Sequence, residues 1–141
     1  MLTSILKLIS GVRNEETWPI IGVVDVAKSN VWYQSLLGLP HEPPHHEEFT
    51  MIIDADDTVL VCLHMWGGHR ESPPLESPGD TQPGNGCLLF IRVDDFDESL
   101  KRARGLVQHF EADPEVFISG PGTMGFTVRD PDGYYVTINE L

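Results

Sequence analysis

The chain has 141 residues, of which 40% are hydrophobic, and its 22 acidic residues against 9 basic ones give a formal net charge of −13. This length and composition are typical of one globular domain built on a single core. Because so acidic a surface repels phosphate backbones and anionic lipid, neither nucleic acid nor a membrane is expected as a partner. A small neutral or cationic ligand is favoured.

The N-terminal segment, residues 1–17, is predicted to form an amphipathic helix that packs on the domain or on a second subunit. Its apolar residues have helical spacing: Leu2, Ile5, Leu6, Ile9 and Val12. The segment lacks a basic leader and a small-residue cleavage site, and its apolar stretch is short, so neither a signal peptide nor a membrane span is expected. The two cysteines belong to no CxxC pair, which favours a reducing cytoplasm.

A first module is predicted over residues 18–66. A strand over residues 18–24 leads into a helix over residues 27–37, and Asp25 is placed to cap the free amides of its first turn. Gly38 is the expected left-handed stop of that helix.

Residues 41–48 are polar and contain Pro43 and Pro44, so a loop or a short edge strand is expected there. Two strands follow, over Phe49–Ile53 and residues 58–65, and an acidic turn joins them. The order of elements in this module is βαβββ.

Residues 67–86 are rich in proline and glycine, show no apolar period, and are predicted to link the first module to a second one over residues 87–141. The second module opens with a strand over residues 87–93 and a helix over Phe96–Leu106. Its further strands are expected near residues 116–118, 125–129 and 134–139. The last two flank Asp-Pro-Asp-Gly at residues 130–133, which is a strong hairpin signal.

The two modules repeat each other. Residues 20–29 align without a gap against residues 90–99, and the match resumes at residues 36–37 against residues 106–107. In each copy an apolar run leads into a helix behind an aspartate. Duplication of one small α/β module is the interpretation that this repeat favours.

These residues resemble the signatures of the vicinal oxygen chelate superfamily, which includes glyoxalase I, bleomycin and fosfomycin resistance proteins and extradiol dioxygenases. The first signature is Asp25 with Trp32, Tyr33 and residues 36–38, and the second is residues 126–133 followed by a strand that ends at Glu140 and Leu141. The resemblance implies a single α+β domain over residues 18–141. Its two tandem βαβββ modules would form a curled, cup-shaped mixed sheet with flanking helices, commonly in a homodimer.

In the metal-dependent members, His, Glu or Gln ligands project into the cup from the end strands of each module. Register carried over from the motifs places these positions at Trp18, Leu88 and Thr137, with the fourth near Val61 and Cys62 as the alternative. None is a good ligand for a divalent first-row metal, which prefers imidazole or carboxylate. We therefore expect neither a metal nor another cofactor in the cup.

Period-two alternation assigns strand residues either to the helices or to the cup. The residues expected to pack on the helices are Leu89, Ile91, Val93, Val136 and Ile138. The residues expected to bind the ligand are Trp18, Ile20, His64, Trp66, Leu88, Phe90, Arg92, Tyr135, Thr137 and Asn139. On the strand before the linker two alternatives stay open for the cup, namely Leu63 with Met65 or Cys62 with His64.

The sequence favours a small-molecule-binding protein of the glyoxalase/bleomycin resistance type that sequesters a neutral or cationic organic ligand in a metal-free cup. The alternative is a metal-dependent lyase, isomerase or dioxygenase with shifted ligands, such as His64 and residues 41–48. Histidines and carboxylates are interleaved in that segment, but an irregular loop gives them no fixed geometry, so we interpret it as solvated. No catalytic nucleophile motif supports covalent catalysis.

Overall fold

The computed structural model describes residues 16–67, 79, 87–119 and 122–141. The predicted N-terminal helix therefore lies outside the described residues, as does nearly all of the linker. The described elements are β1 (Ile20–Val23), α1 (Val26–Leu37), β2 (Phe49–Ile53), β3 (Val59–Met65), β4 (Leu88–Val93), α2 (Phe96–Leu106), β5 (Phe117–Ile118), β6 (Met124–Arg129) and β7 (Tyr135–Glu140).

The first module contains a sheet of three strands in the order β1-β3-β2, in which β1 runs parallel to β3 and β2 antiparallel to it. Of the two alternatives expected for residues 41–48, the loop is found, with one isolated bridge between His46 and Phe49. Pro43 and Pro44 have no amide proton to donate to a ladder, which disfavours the edge strand. For the same reason β1 begins after Pro19, whose carbonyl accepts a 2.7 Å hydrogen bond from the Cys62 amide.

The second module contains a sheet of four strands in the order β4-β7-β6-β5. Its helix α2 has the predicted bounds, and the predicted hairpin joins β6 to β7. Gly133 adopts a φ of 90°, and its amide donates to the carbonyl of Asp130 over 3.0 Å. The turn chemistry of this segment is therefore confirmed.

Equivalent aspartates begin both helices. The Asp25 Oδ1 atom accepts from the Lys28 amide over 3.0 Å, and the Asp95 Oδ1 atom accepts from the Glu98 amide over 3.2 Å. Gly38 ends α1 with a φ of 66°, as predicted. These caps support the duplication that the sequence repeat indicates.

The two modules share one hydrophobic core, since α1 packs against α2 and the buried side chains come from both sheets. Polar contacts also join the modules. The Tyr134 hydroxyl donates to the carbonyl of Gly22 over 2.9 Å, and Arg102 Nε donates to the carbonyl of Leu36 over 3.0 Å.

The fold is α+β, and both helices contribute to the shared core. Ile20, Leu88 and Phe90 lie on the sheet faces directed away from it, which we call the open faces, and are 42% to 55% exposed.

Both cysteines are free thiols. Among the described residues no helix has the length and apolar character that a membrane crossing requires. The cytoplasmic location stays a prediction.

Candidate ligand-binding cup

The predicted alternation along β4 is confirmed. Leu89, Ile91 and Val93 pack against the core. Leu88 and Phe90 point to the other side, where they are 55% and 42% exposed. The open face of the second sheet is therefore apolar.

In the first sheet, strand register decides between the two alternatives for β3. Ile20 pairs with Cys62 and Gly22 pairs with His64, so both β3 residues share the face of Ile20. Leu63 is fully buried in the core, and Met65 packs against it. Leu63 and Met65 therefore pack on the core, whereas Cys62 and His64 lie on the same face as Ile20, and their contact with a ligand stays a prediction.

The same register corrects the position equivalent to Thr137. Phe90 pairs with Thr137 in the second sheet as its repeat counterpart Ile20 pairs with Cys62 in the first. Cys62 is therefore the equivalent residue, whereas Val61 pairs with Ile52 and is fully buried in the core. Spacing alone located this position only to within one residue.

The four positions at which the superfamily's metal ligands would lie are thus Trp18, Cys62, Leu88 and Thr137. An indole, an aliphatic chain and a hydroxyl are unsuited to a divalent metal. Burial raises the pKa of the Cys62 thiol, which opposes formation of the thiolate that a metal needs. These residues do not fit the metal that the fold family implies.

A cavity of about 370 Å³ lies on the open face of the second sheet, and we call it the cup cavity. Its lining residues are Leu88, Phe90, Phe117, Ser119, Thr127, Tyr135 and Thr137. The hydroxyls of Thr127 and Thr137 are 2.7 Å apart and hydrogen-bonded. Among the described residues the lining is apolar and aromatic with a few hydroxyls and no charged side chain, a composition typical of a site for an uncharged organic molecule.

Phe117, Ser119 and Thr127 were not among the residues predicted from the sequence. Thr127 pairs directly with Thr137 across the hairpin, so counting back from the Asp-Pro-Asp-Gly turn would have located it. Phe117 and Ser119 lie in and just after β5, a strand that was expected near residues 116–118 but whose side chains were not assigned to either face.

Tyr135 is held from one side by Arg129. The Arg129 guanidinium carbon lies 3.5 Å from the centroid of the Tyr135 ring, and Nη1 donates to the carbonyl of Gly133 over 2.7 Å. Glu111 accepts from Arg129 Nε over 3.3 Å. This cation–π contact and ion pair fix the ring at the edge of the cup cavity.

Arg92 occupies a different environment from Tyr135 and Thr137. Its Nε donates to the carbonyl of Glu140 over 3.3 Å, and the residue lines a cavity of about 340 Å³ beside Ile91 and Val93. It pairs with Asn139, two positions beyond Thr137 on β7, and so lies at the far end of the strand. Its contact with a ligand stays a prediction.

Asn139 is fully buried in a polar network. Its Nδ2 donates to Ser119 Oγ over 2.6 Å, and its Oδ1 accepts from the Thr123 hydroxyl. A Cβ atom at Gly125 would lie 2.7 Å from the Asn139 Nδ2 atom, so the network needs glycine there. Through its hydrogen bond to Oγ, Asn139 orients Ser119, which lines the cup cavity.

The predicted residues of the first sheet form a separate group. Trp18 and Ile20 are about half exposed, whereas His64 is buried with its Nδ1 atom 2.7 Å from the carbonyl of Met65. The Trp66 ring lies over Gly22, where a Cβ atom would come within 2.3 Å of it. None of these residues lines the cup cavity of the second sheet.

The histidines of residues 41–48 are not brought together. His41 Nε2 lies 3.1 Å from Ser35 Oγ, and His45 Nδ1 lies 2.9 Å from Thr50 Oγ1. His46 packs against the ring of Phe49. Within residues 16–67, 87–119 and 122–141, no group of three or more His, Cys, Asp or Glu side chains is arranged to hold a metal.

No protein-family model matches the sequence, and a search of curated proteins finds no significant relative. Several solved structures, however, are similar to this chain.

A glyoxalase / bleomycin resistance protein from Catenulispora acidiphila is 20% identical, with 89% of this chain and 97% of that chain covered and a TM-score of 0.57. Lactoylglutathione lyase from Agrobacterium tumefaciens is 16% identical, with 91% and 94% covered and a TM-score of 0.62. Oxidase ChaP-H1 is 23% identical, with 92% and 97% covered and a TM-score of 0.64. At these identities the likeness establishes the fold alone: the chain has the fold of glyoxalase/bleomycin resistance proteins.

Proposed function

We propose that the protein is a small-molecule-binding protein that sequesters an uncharged organic ligand in a metal-free cup. The observation that carries the proposal is the cup cavity, with its aromatic and aliphatic lining and its hydroxyls. A cationic ligand remains compatible with the acidic surface at long range, but no lining residue of this cavity would neutralise its charge. The lining therefore favours a neutral ligand that donates or accepts one or two hydrogen bonds.

The metal-dependent alternative receives less support. The neighbours include a protein described as a lyase and one described as an oxidase, so the fold is compatible with catalysis. In this chain, however, the positions equivalent to the superfamily's ligands are Trp18, Cys62, Leu88 and Thr137. The shifted set of His64 with residues 41–48 is dispersed, which favours binding over metal-assisted chemistry.

We also propose that a second copy of the chain completes the cup. Trp18 and Ile20 on the first sheet and Leu88 and Phe90 on the second are 42% to 55% exposed. They occupy equivalent repeat positions, and β1 and β4 are edge strands of their sheets. A homodimer that places the first module of one chain against the second module of the other would bury both apolar faces.

A thermal-shift screen of uncharged aromatic and aliphatic compounds, run alongside elemental analysis, tests the proposal. A ligand that binds the folded state raises the melting temperature by mass action. Phe90→Ala should reduce the shift, whereas Val31→Ala, which removes an exposed apolar side chain from α1, should not. One equivalent of a transition metal per chain, lost when a cup residue is changed, would contradict the binding function.

A further inference from the structure

A second cavity, of about 580 Å³, lies on the outer side of the first module, between α1, residues 39–45 and β2. We call it the outer cavity. It shares no lining residue with the cup cavity, so it is a separate candidate site. Its volume is within the range of small-molecule sites.

Two amide side chains of α1 lie behind this cavity. Asn30 Nδ2 and Gln34 Nε2 both donate to the carbonyl of Glu42, over 2.8 Å and 3.1 Å. These bonds fix the orientation of both amides, because a flipped amide would turn its oxygen toward the Glu42 carbonyl. They also hold residues 39–45 against the helix.

The oxygens of both amides, Asn30 Oδ1 and Gln34 Oε1, are buried and have no hydrogen-bond partner among the described residues. Gln34 is only 7% exposed, and it lines the outer cavity. Buried polar atoms are nearly always paired, so an unpaired acceptor on a residue that lines a cavity indicates a missing donor.

The charged residues of the cavity also indicate a ligand that donates hydrogen bonds. Glu42, Asp54 and Asp57 line it, and in the part of the chain that the structure describes no lysine or arginine does. The apolar part of the lining includes Pro40 and Ile53. A ligand with a cationic donor at one end and an apolar body matches this distribution.

We propose that the outer cavity binds a small organic ammonium ion with a short apolar body. An ammonium group donates hydrogen bonds and accepts none, so it complements the unpaired oxygen of Gln34. The carboxylates of Asp54 and Asp57 stabilise its charge, and the body packs against Pro40 and Ile53. The site is independent of the cup and of the function proposed for it.

Hexylammonium, hexanol and hexanoate test the proposal because they share one body and differ in charge. Each is titrated into the full chain and followed by backbone amide NMR. Hexylammonium should give saturable shifts at His45, Ile53 and Asp57, hexanol weaker ones and hexanoate none. Equal responses to all three probes, or shifts at Phe90 and Thr137 instead, would overturn the assignment. The absence of any saturable shift would also overturn it, with ordered water then serving the amide oxygens.

The double variant Asp54→Asn/Asp57→Asn removes two carboxylate charges of the lining and leaves that of Glu42. It does not disturb the turn, because asparagine tolerates the positive φ of 68° at residue 57. Hexylammonium affinity should fall about three- to tenfold, the range expected for two exposed ion pairs. The matched control Asp97→Asn/Glu98→Gln makes the same charge change in the first turn of α2. If both double variants weaken hexylammonium binding equally, the effect comes from the net charge of the protein. That result would contradict a local site.

Gln34→Leu tests the hydrogen bond separately. It removes the unpaired oxygen, while Asn30 still holds the carbonyl of Glu42. The preference for hexylammonium over hexanol should shrink without loss of binding of the apolar body. An unchanged preference would show that Gln34 does not contact the ammonium. If Gln34→Leu fails to fold, the double variant Asp54→Asn/Asp57→Asn tests the site in its place.

Discussion

The hydroxyl of Tyr33 donates a 2.7 Å hydrogen bond to Asp130 Oδ2, joining the helix of the first module to the hairpin turn of the second. Both residues are buried. Asp130 Oδ1 accepts from the amides of Asp132 and Tyr134, so the carboxylate holds the turn and the helix together. Burial, followed by the charge and hydrogen bond of Asp130, raises the pKa of Tyr33 well above its ordinary value.

Tyr33→Phe should therefore destabilise the protein, and more at neutral than at acidic pH. Burial raises the pKa of Asp130 above 3.8, although the Tyr33 hydroxyl opposes that rise. A group whose pKa is raised by folding contributes stability that is present below pH 3.8 and lost as the pH rises through its folded-state pKa. Removing the hydroxyl increases the cost of burying the ionised Asp130 carboxylate. We therefore expect the free energy of unfolding to fall by about 1.5 to 3 kcal/mol at pH 7.

Urea unfolding of both proteins at about pH 3 and at pH 7 measures this difference, because the lower pH lies below the ordinary pKa of an aspartate, 3.8. Tyr134→Phe is the control, because its hydroxyl donates to the carbonyl of Gly22, which does not titrate. A loss for Tyr33→Phe that is equal at both pH values would show that Asp130 is not the group involved.

Gly22→Ala should displace the ring of Trp66. An added Cβ would lie 2.3 Å from that ring, closer than any packed contact allows. Tryptophan fluorescence should shift to the red as the indole becomes exposed to water. Gly105→Ala, where nothing lies within 4 Å, is the control and should leave the emission unchanged. An unshifted emission in Gly22→Ala would show that Trp66 does not need this glycine.

Local signals made much of the fold predictable. Asp25 and Asp95 cap their helices, Gly38 ends the first one, and the Asp-Pro-Asp-Gly turn sets the final hairpin. Each signal depends on residues within one turn of chain. The interpretation of the repeat as two similar modules depended on the alignment of residues 20–29 with residues 90–99, in which an apolar run leads to an aspartate in each copy.

The site was predicted less completely because it depends on pairing across the chain. The parallel register of β1 on β3 placed Cys62, and not Val61, opposite Ile20, and no local pattern fixes such a register. The side chain of Arg92 turns toward Glu140, a choice that alternation cannot reveal. The strand of Phe117 was expected near residues 116–118, but its two residues are too few for alternation to assign Phe117 to the cup.

Neighbouring residues of β4 and β7 should separate stability from binding. Ile138→Ala removes a fully buried side chain and should cost about 2 to 5 kcal/mol, while half-buried Ile91→Ala should fall near the lower end. Arg92→Ala should leave stability nearly unchanged because the side chain is exposed. Denaturant unfolding measures all three, and an Arg92→Ala variant that unfolds as readily as Ile138→Ala would contradict the assignment of faces.

Leu88→Glu should convert the proposed homodimer into a monomer. Leu88 is 55% exposed on the open face of the second sheet, so a lone subunit tolerates the carboxylate of the variant. In the dimer the second subunit would bury this carboxylate with no opposite charge beside it. Sedimentation velocity at micromolar concentration should show a dimer for the natural chain and a monomer for the variant. Val31→Glu, at a similarly exposed position on α1, should remain dimeric. A natural chain that sediments as a monomer, or a Leu88→Glu variant that stays dimeric, would mean that a second copy does not cover this face.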